Sequence, residues 1–150
     1  MAATVSAGVL EFLVVEDDDD DFYLTCQALK EARLANDVYR AEDGEELMDY
    51  LQRRGRFLEP ASSPSPSLIL LDLNMPRKDG REALREIKSS AELRHYPIVV
   101  LTTSRSEEDI IRSYEWGVNS FITKPVTFQG LVEAIRVLGQ YWFELVELPA

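Results

Sequence analysis

Cysteine and histidine each occur once in this chain of 150 residues, as Cys26 and His95, and that scarcity removes several chemistries. One thiol makes an intrachain disulfide impossible and excludes a four-cysteine metal site, which suits a reducing cytoplasm. A single histidine, remote from the acidic segments, supplies no base for a Ser-His-Asp or Cys-His device. Basic residues are short as well. Sixteen Lys and Arg stand against 27 Asp and Glu, a formal net charge of −11. That balance lacks the cationic surface that nucleic-acid phosphates or anionic lipids require, so neither is expected as a partner. The longest unbroken apolar runs are four residues, such as Phe12 to Val15 and Ile98 to Leu101, whereas a bilayer span needs about 20. The chain starts without a basic stretch and leads into a block of Asp, so no secretory signal is read there. No glycine-rich phosphate loop follows the first apolar run. Acids stand in its place, which argues against nucleotide or flavin binding.

What is present is an alternation. Leu10–Val15, Val38–Ala41, Leu68–Leu71, Ile98–Leu101 and Ser120–Ile122 read as strands, three of them almost wholly apolar, as in a parallel sheet covered on both faces. Helical periodicity fills the gaps. Phe22, Cys26, Leu29 and Ala32 form one stripe, Leu47, Tyr50 and Leu51 a second, and Ala83, Leu84 and Ile87 a third. Ile111 and Tyr114 mark a fourth helix, and a fifth starts near Thr127. The order is (βα)₅, which predicts an α/β fold: a doubly wound, five-stranded parallel sheet with right-handed connections. The Pro- and Ser-rich segment from Gly55 to Ser67 reads as a surface loop inside one domain.

Ligands of such sheets sit outside the carboxyl ends of the strands. Reading those ends gives Glu16 and Asp17 after the first strand, Asp72 and Asn74 after the third, Thr102 after the fourth and Lys124 after the fifth. Three carboxylates in one crevice repel one another unless a cation sits among them. A few hard oxygen ligands with room for water describe a Mg²⁺ site. A carboxylate beside Mg²⁺ is a nucleophile toward phosphorus. A moving phosphoryl group is stabilised by positive charge and a hydrogen-bond donor, here Lys124 and Thr102. The run Asp19 to Asp21 reads more simply, as acids in the first turn of a helix.

Val15-Glu16-Asp17, Asp72-Leu73-Asn74-Met75-Pro76-Arg77-Lys78-Asp79-Gly80, Thr102 and Lys124-Pro125 resemble the receiver domain of two-component response regulators, from about Leu10 to Leu138. Thr102 to Ile110, the Pro/Ser loop and the ending Tyr141-Trp142-Phe143…Leu148-Pro149 are similar to small stand-alone regulators that accompany bacterial phytochromes. The resemblance implies a flavodoxin-like receiver fold and a phosphoacceptor, not an enzyme in the ordinary sense, with its own phosphotransfer and autodephosphorylation chemistry. Asp72 then accepts the phosphoryl group from a histidine kinase, of phytochrome type, or from a phosphotransfer protein. Glu16, Asp17, Asp72 and the Asn74 backbone carbonyl hold Mg²⁺. Lys124 pairs with Asp72 and then with the phosphoryl oxygens, while Thr102 and Phe121 act as the switch. Lys124–Pro125 is a candidate cis peptide. Thr103 is bulkier than the usual Ala.

The expected organisation is a receiver domain over 1–140 and an aromatic C-terminal extension over 141–150. Phe128, Leu131, Ile135, Leu138, Trp142 and Leu145 form one continuous stripe, longer than a receiver core can cover, and the tail adds further large apolar residues. A homodimer through the fourth helix, fifth strand, fifth helix and tail is expected, with Ile111 in the core and Ile110 and Tyr114 outside. Two rival classes share part of the pattern. An aspartate-nucleophile phosphatase of the haloacid dehalogenase type needs its nucleophile on the first strand and a late acidic motif, which 126–150 does not show. A pseudo-receiver scaffold is marked by loss of Asp72 or Lys124, and both are present.

Overall fold

The computed structural model describes residues 11–33, 37–59, 63–75, 79–103 and 106–140. Strands β1 (Glu11–Val15), β2 (Asp37–Ala41), β3 (Leu68–Leu71), β4 (Ile98–Thr102) and β5 (Ser120–Thr123) form one parallel sheet in the order β2-β1-β3-β4-β5. Between them run α1 (Asp19–Glu31), α2 (Gly44–Leu51), α3 (Gly80–Ser89) and α4 (Glu107–Glu115), and α5 (Phe128–Gln140) follows β5. This is the doubly wound parallel sheet that the alternation predicts, and the flavodoxin-like receiver fold that the resemblance implies. Leu10, residues 76–78 of the long motif, Ser104 and the aromatic extension 141–150 lie outside the described residues.

Burial follows the pattern of the strands. Every residue of β3 and β4 is buried, as a central parallel strand covered on both faces requires. Successive side chains alternate between two cores. On one face Phe12, Val14, Leu70, Val99 and Leu101 meet Ala28 and Leu29 of α1 and Leu131, Val132, Ile135 and Leu138 of α5. On the other, Leu13, Val15, Ile69, Leu71 and Val100 meet Leu47 and Leu51 of α2 and Ala83, Leu84 and Ile87 of α3.

Helix starts are written in the sequence. Asp18, Asp43, Asp79 and Ser106 each cap a helix by accepting a backbone N–H from its first turn, at 2.9, 2.9, 2.7 and 3.3 Å. Asp19, Asp20 and Asp21 then fill the first turn of α1, where acids suit the helix dipole. The Pro/Ser loop contains a 3₁₀ turn, Gly55–Phe57, and is fastened to α2 by Tyr50, whose hydroxyl donates to the Pro64 carbonyl at 2.8 Å.

Two expectations fail. Ile111 is 57% exposed, and it is Ile110 and Ser113 of α4 that turn inward. Two adjacent isoleucines leave the phase of a short helix open; an ion pair settles it, because Arg81 of α3 holds Asp109 by two bonds of 2.7 and 2.6 Å. The positions next to Asp109 on that side, Ile110 and Ser113, therefore face the body. Nor is Lys124–Pro125 cis: no peptide bond among the described residues is. The Lys124 N–H continues the β4–β5 ladder to the Thr102 carbonyl at 2.7 Å, and the trans form is the one an X–Pro bond ordinarily prefers.

Candidate phosphoacceptor site

The chain runs from β1 outward to β2, then crosses back to β3 on the other side of β1. The switch point of the sheet therefore lies between β1 and β3, where a crevice opens at the strand ends. Glu16 and Asp17 follow β1 and Asp72 follows β3, so the topology alone brings the three acids together. One carboxylate oxygen from each lies within 4.8 Å of the others. Glu16 and Asp72 are buried, whereas Asp17 is exposed, giving a crevice open on one side.

Asp72 is held on both oxygens. Its Oδ1 accepts the Thr102 hydroxyl at 2.7 Å and the Asn74 N–H at 3.2 Å, and Oδ2 faces the Lys124 ammonium at 3.6 Å. Thr102 is fully buried at the end of β4. Gly80 explains the glycine of the motif. A Cβ there would stand 2.3 Å from the Asp72 carbonyl oxygen and 2.7 Å from Leu73 Cα, so the start of α3 presses on the backbone that presents Asp72.

Lys124 is the shared counter-charge. Its ammonium donates to Glu16 Oε1 and lies 3.4 Å from Asp21 Oδ2. Burial disfavours its charge, but the hydrogen bond to Glu16 and the charges of Asp72, Glu16 and Asp21 outweigh that and hold its pKa above the ordinary value. Glu16 is raised as well, which for a carboxyl disfavours the charged form. Burial raises its carboxyl to about 7 against the pull of Lys124, and the charge of Asp72 adds to the rise. The chemistry of the donor set fits a hard divalent cation: three carboxylates, no nitrogen or sulfur, one side open to water.

Phe121 sits on β5 beside Val100, two residues before the Thr123 that pairs with Thr102, half-buried against the α2/α3 core. Its N–H donates to the Tyr114 hydroxyl at 3.2 Å. Glu16, Asp17, Asp72, Thr102 and Lys124 thus converge as the sequence predicts, with Phe121 one step removed. Thr103, the bulky replacement, is exposed beside them. The sequence marks Asp21 only as an acid of a helix start and gives no sign of Arg40. Asp21 lies in the first turn of α1, four residues beyond Asp17, on the side that Lys124 reaches. Arg40 lies within a strand, where a reading of strand ends does not look.

A parallel sheet whose switch point carries a buried acid, held by a hydroxyl and an ammonium beside two further acids, defines the class of aspartate-based phosphoacceptors. The chain belongs to the response regulator receiver domain family, whose model matches residues 12–136. It is 43% identical over 138 residues to the response regulator Rcp1 of Synechocystis sp., 92% of each chain being covered. The crystal structure of the Mn²⁺-bound form of response regulator Rcp1 matches at 42% identity with a TM-score of 0.82, over 94% of this chain and 99% of the other. That of the phosphorylated cyanobacterial phytochrome response regulator RcpA matches at 40% identity and TM-score 0.84, with the same coverage. The chain is therefore a receiver-domain response regulator related to those of phytochromes.

Proposed function

We propose that this protein is a phosphorylation-controlled switch that takes a phosphoryl group on Asp72 from a histidine kinase of the phytochrome type and signals through protein–protein contacts. One observation carries the reading: Asp72 is buried at the sheet's switch point, with Thr102 on one oxygen and Lys124 facing the other. In the transfer, a carboxylate oxygen of Asp72 forms a bond to phosphorus as the bond from phosphorus to the donor imidazole nitrogen breaks. The electron pair leaves with the imidazole. Lys124 exchanges its hold on carboxylates for the incoming phosphoryl oxygens, and Thr102 transfers its hydroxyl from Asp72 to the same group. Hydrolysis by water returns Asp72 and releases phosphate, so the receiver resets itself without acting on any other substrate.

Glu16, Asp17, Asp72 and the Asn74 carbonyl are the groups that would hold Mg²⁺, which supplies charge stabilisation for the phosphoryl oxygens. Residues 1–140 form the receiver and 141–150 an extension that joins α4, β5 and α5 in a homodimer. The setting is the cytoplasm, with neither nucleic acid nor membrane as partner; among the described residues no helix is long and apolar enough to cross a membrane.

The test is incubation with autophosphorylated kinases and intact-mass measurement of hydroxylamine-labile phosphate. The parent chain should gain one phosphoryl group, and Asp72→Asn, which keeps the shape and removes the nucleophile, should gain none. Labelling of the variant at the parent rate overturns the assignment.

A further inference from the structure

Strand β2 is an edge strand, and alternation puts Val38 and Arg40 on the face covered by α1. Val38 packs there against the apolar core. At the next position on that face an aliphatic residue would serve the packing, yet the chain has arginine. Its side chain is 22% exposed, and its guanidinium stacks on the Phe22 ring of α1 at 4.5 Å from the ring centre.

From that seat its three nitrogens donate to the segment joining β1 to α1 and to the first residue of α1. Nε donates to the Glu16 carbonyl at 3.1 Å, one terminal nitrogen to the Asp17 carbonyl at 3.3 Å, and the other to the Asp19 carboxylate at 2.8 Å. Beside it, the Glu16 N–H donates to the Ala41 carbonyl at 3.0 Å. The backbone of both acidic residues is thus fixed from the β2 side, while the Glu16 side chain reaches the other way, to Lys124. Arg40 grips the loop by the Glu16 and Asp17 carbonyls and makes no hydrogen bond to either carboxylate.

We infer that Arg40 is a positioning residue for the metal-binding carboxylates, an inference that rests on the function proposed above. A planar fork with donors in fixed directions can hold three acceptors at once, which an ammonium cannot. With the loop held, Glu16 and Asp17 meet a divalent ion without first being ordered, and that saved entropy appears as affinity. Arg40 acts on the metal only through this loop, as partners outside the ligand set do in other metal sites.

Charge and positioning predict opposite signs. If Arg40 mattered only as a positive charge near a cation, removing it would tighten metal binding. If it positions the loop, removing it loosens binding.

The experiment is calorimetric titration of the full chain with Mg²⁺ for the parent, Arg40→Met and Arg40→Lys, with circular dichroism to verify folding. Methionine keeps an apolar stem over Phe22, and lysine keeps the charge without the fork. Both variants should bind Mg²⁺ roughly 10-fold more weakly, the lower end of what loss of a supporting partner usually does to a metal site. Phosphorylation by acetyl phosphate at saturating Mg²⁺ should return to within about twofold of the parent, because the loss is in binding. A purely structural role would lower the thermal midpoint and leave the Mg²⁺ affinity of the folded protein alone. Unchanged or tighter binding by a folded variant overturns the inference, and the lysine variant carries the test if the methionine variant fails to fold. A parent chain that binds no Mg²⁺ overturns the site reading itself, and the inference with it, a result distinct from equal binding by parent and variant.

Discussion

Thr102 donates its hydroxyl to Asp72 across the strand ends of β4 and β3, at 2.7 Å and out of reach of solvent. A buried carboxylate that loses a partner is costly, so this bond does two things. It fixes the Asp72 side chain for the attack proposed above, and it ties the position of Thr102 to the charge on Asp72.

Thr102→Val keeps the shape and removes the donor. The Asp72 carboxylate then loses a charge-assisted bond in a buried site, which should lower stability by roughly 1–3 kcal/mol. Denaturant unfolding measures this directly. The variant should still accept phosphate, since Asp72 and Lys124 remain, but the β4 end should no longer respond to it. Equal stability of variant and parent removes Thr102 from the site.

Metal should stabilise the native state alone, because the unfolded chain cannot gather Glu16, Asp17 and Asp72. Linkage sets the size: about 2.7 kcal/mol when Mg²⁺ stands at 100 times its dissociation constant. The thermal midpoint should rise with Mg²⁺, fall back on chelation and respond much less in Glu16→Gln. Phosphotransfer should stop in EDTA. If chelation changes neither the midpoint nor transfer, the three acids do not form a metal site.

Gly80→Ala tests how tightly α3 is seated beneath the site. Its Cβ would enter 2.3 Å from the Asp72 carbonyl oxygen, and the obstacle is backbone, which cannot swing aside. The helix start must shift, and Asp72 with it. Overpacking of this kind costs about 1–3 kcal/mol, and phosphorylation should slow together with the loss of stability. A variant as stable and as fast as the parent shows that the loop yields freely.

Much of this was legible beforehand, for a definite reason. Runs such as Leu68–Leu71 and Ile98–Leu101 are buried on both faces, so their apolar character announces them, and polar residues at their ends are conspicuous. Glu16, Asp17, Asp72, Thr102 and Lys124 could be found by that rule. What escaped depends on side chains meeting from distant segments. The phase of α4 rests on the Arg81–Asp109 pair, whose members are 28 residues apart. Arg40 stands one residue short of its strand end and serves a loop 24 positions earlier in the chain. Asp21 reads in the sequence as one acid of a helix start, although Lys124 reaches it from the end of β5.

The dimer is the remaining test of the outer surface. With α4 turned as observed, Ile111 and Tyr114 are 57% and 52% exposed, and Val137 on α5 is 62% exposed. Tyr114 and Val137 help to line a groove of about 480 Å³, floored by Phe121 and Ile122 of the edge strand β5 and by Leu138. The apolar pair on α4 is therefore Ile111 and Tyr114, three residues apart on one side, in place of the expected Ile110 and Tyr114. An apolar face on an edge strand with its flanking helices is a surface that a second copy can cover by twofold symmetry. Light scattering should report a dimer for the full chain. Ile111→Glu puts a charge on the proposed contact face and should shift the protein to monomer without loss of fold, because that side chain is exposed. Deletion of 141–150 should weaken association as well, if the extension contributes; if the tail instead folds over its own sheet, deletion leaves association unchanged and lowers stability. A full-length chain that stays monomeric at high micromolar concentration, phosphorylated or not, refutes the dimer.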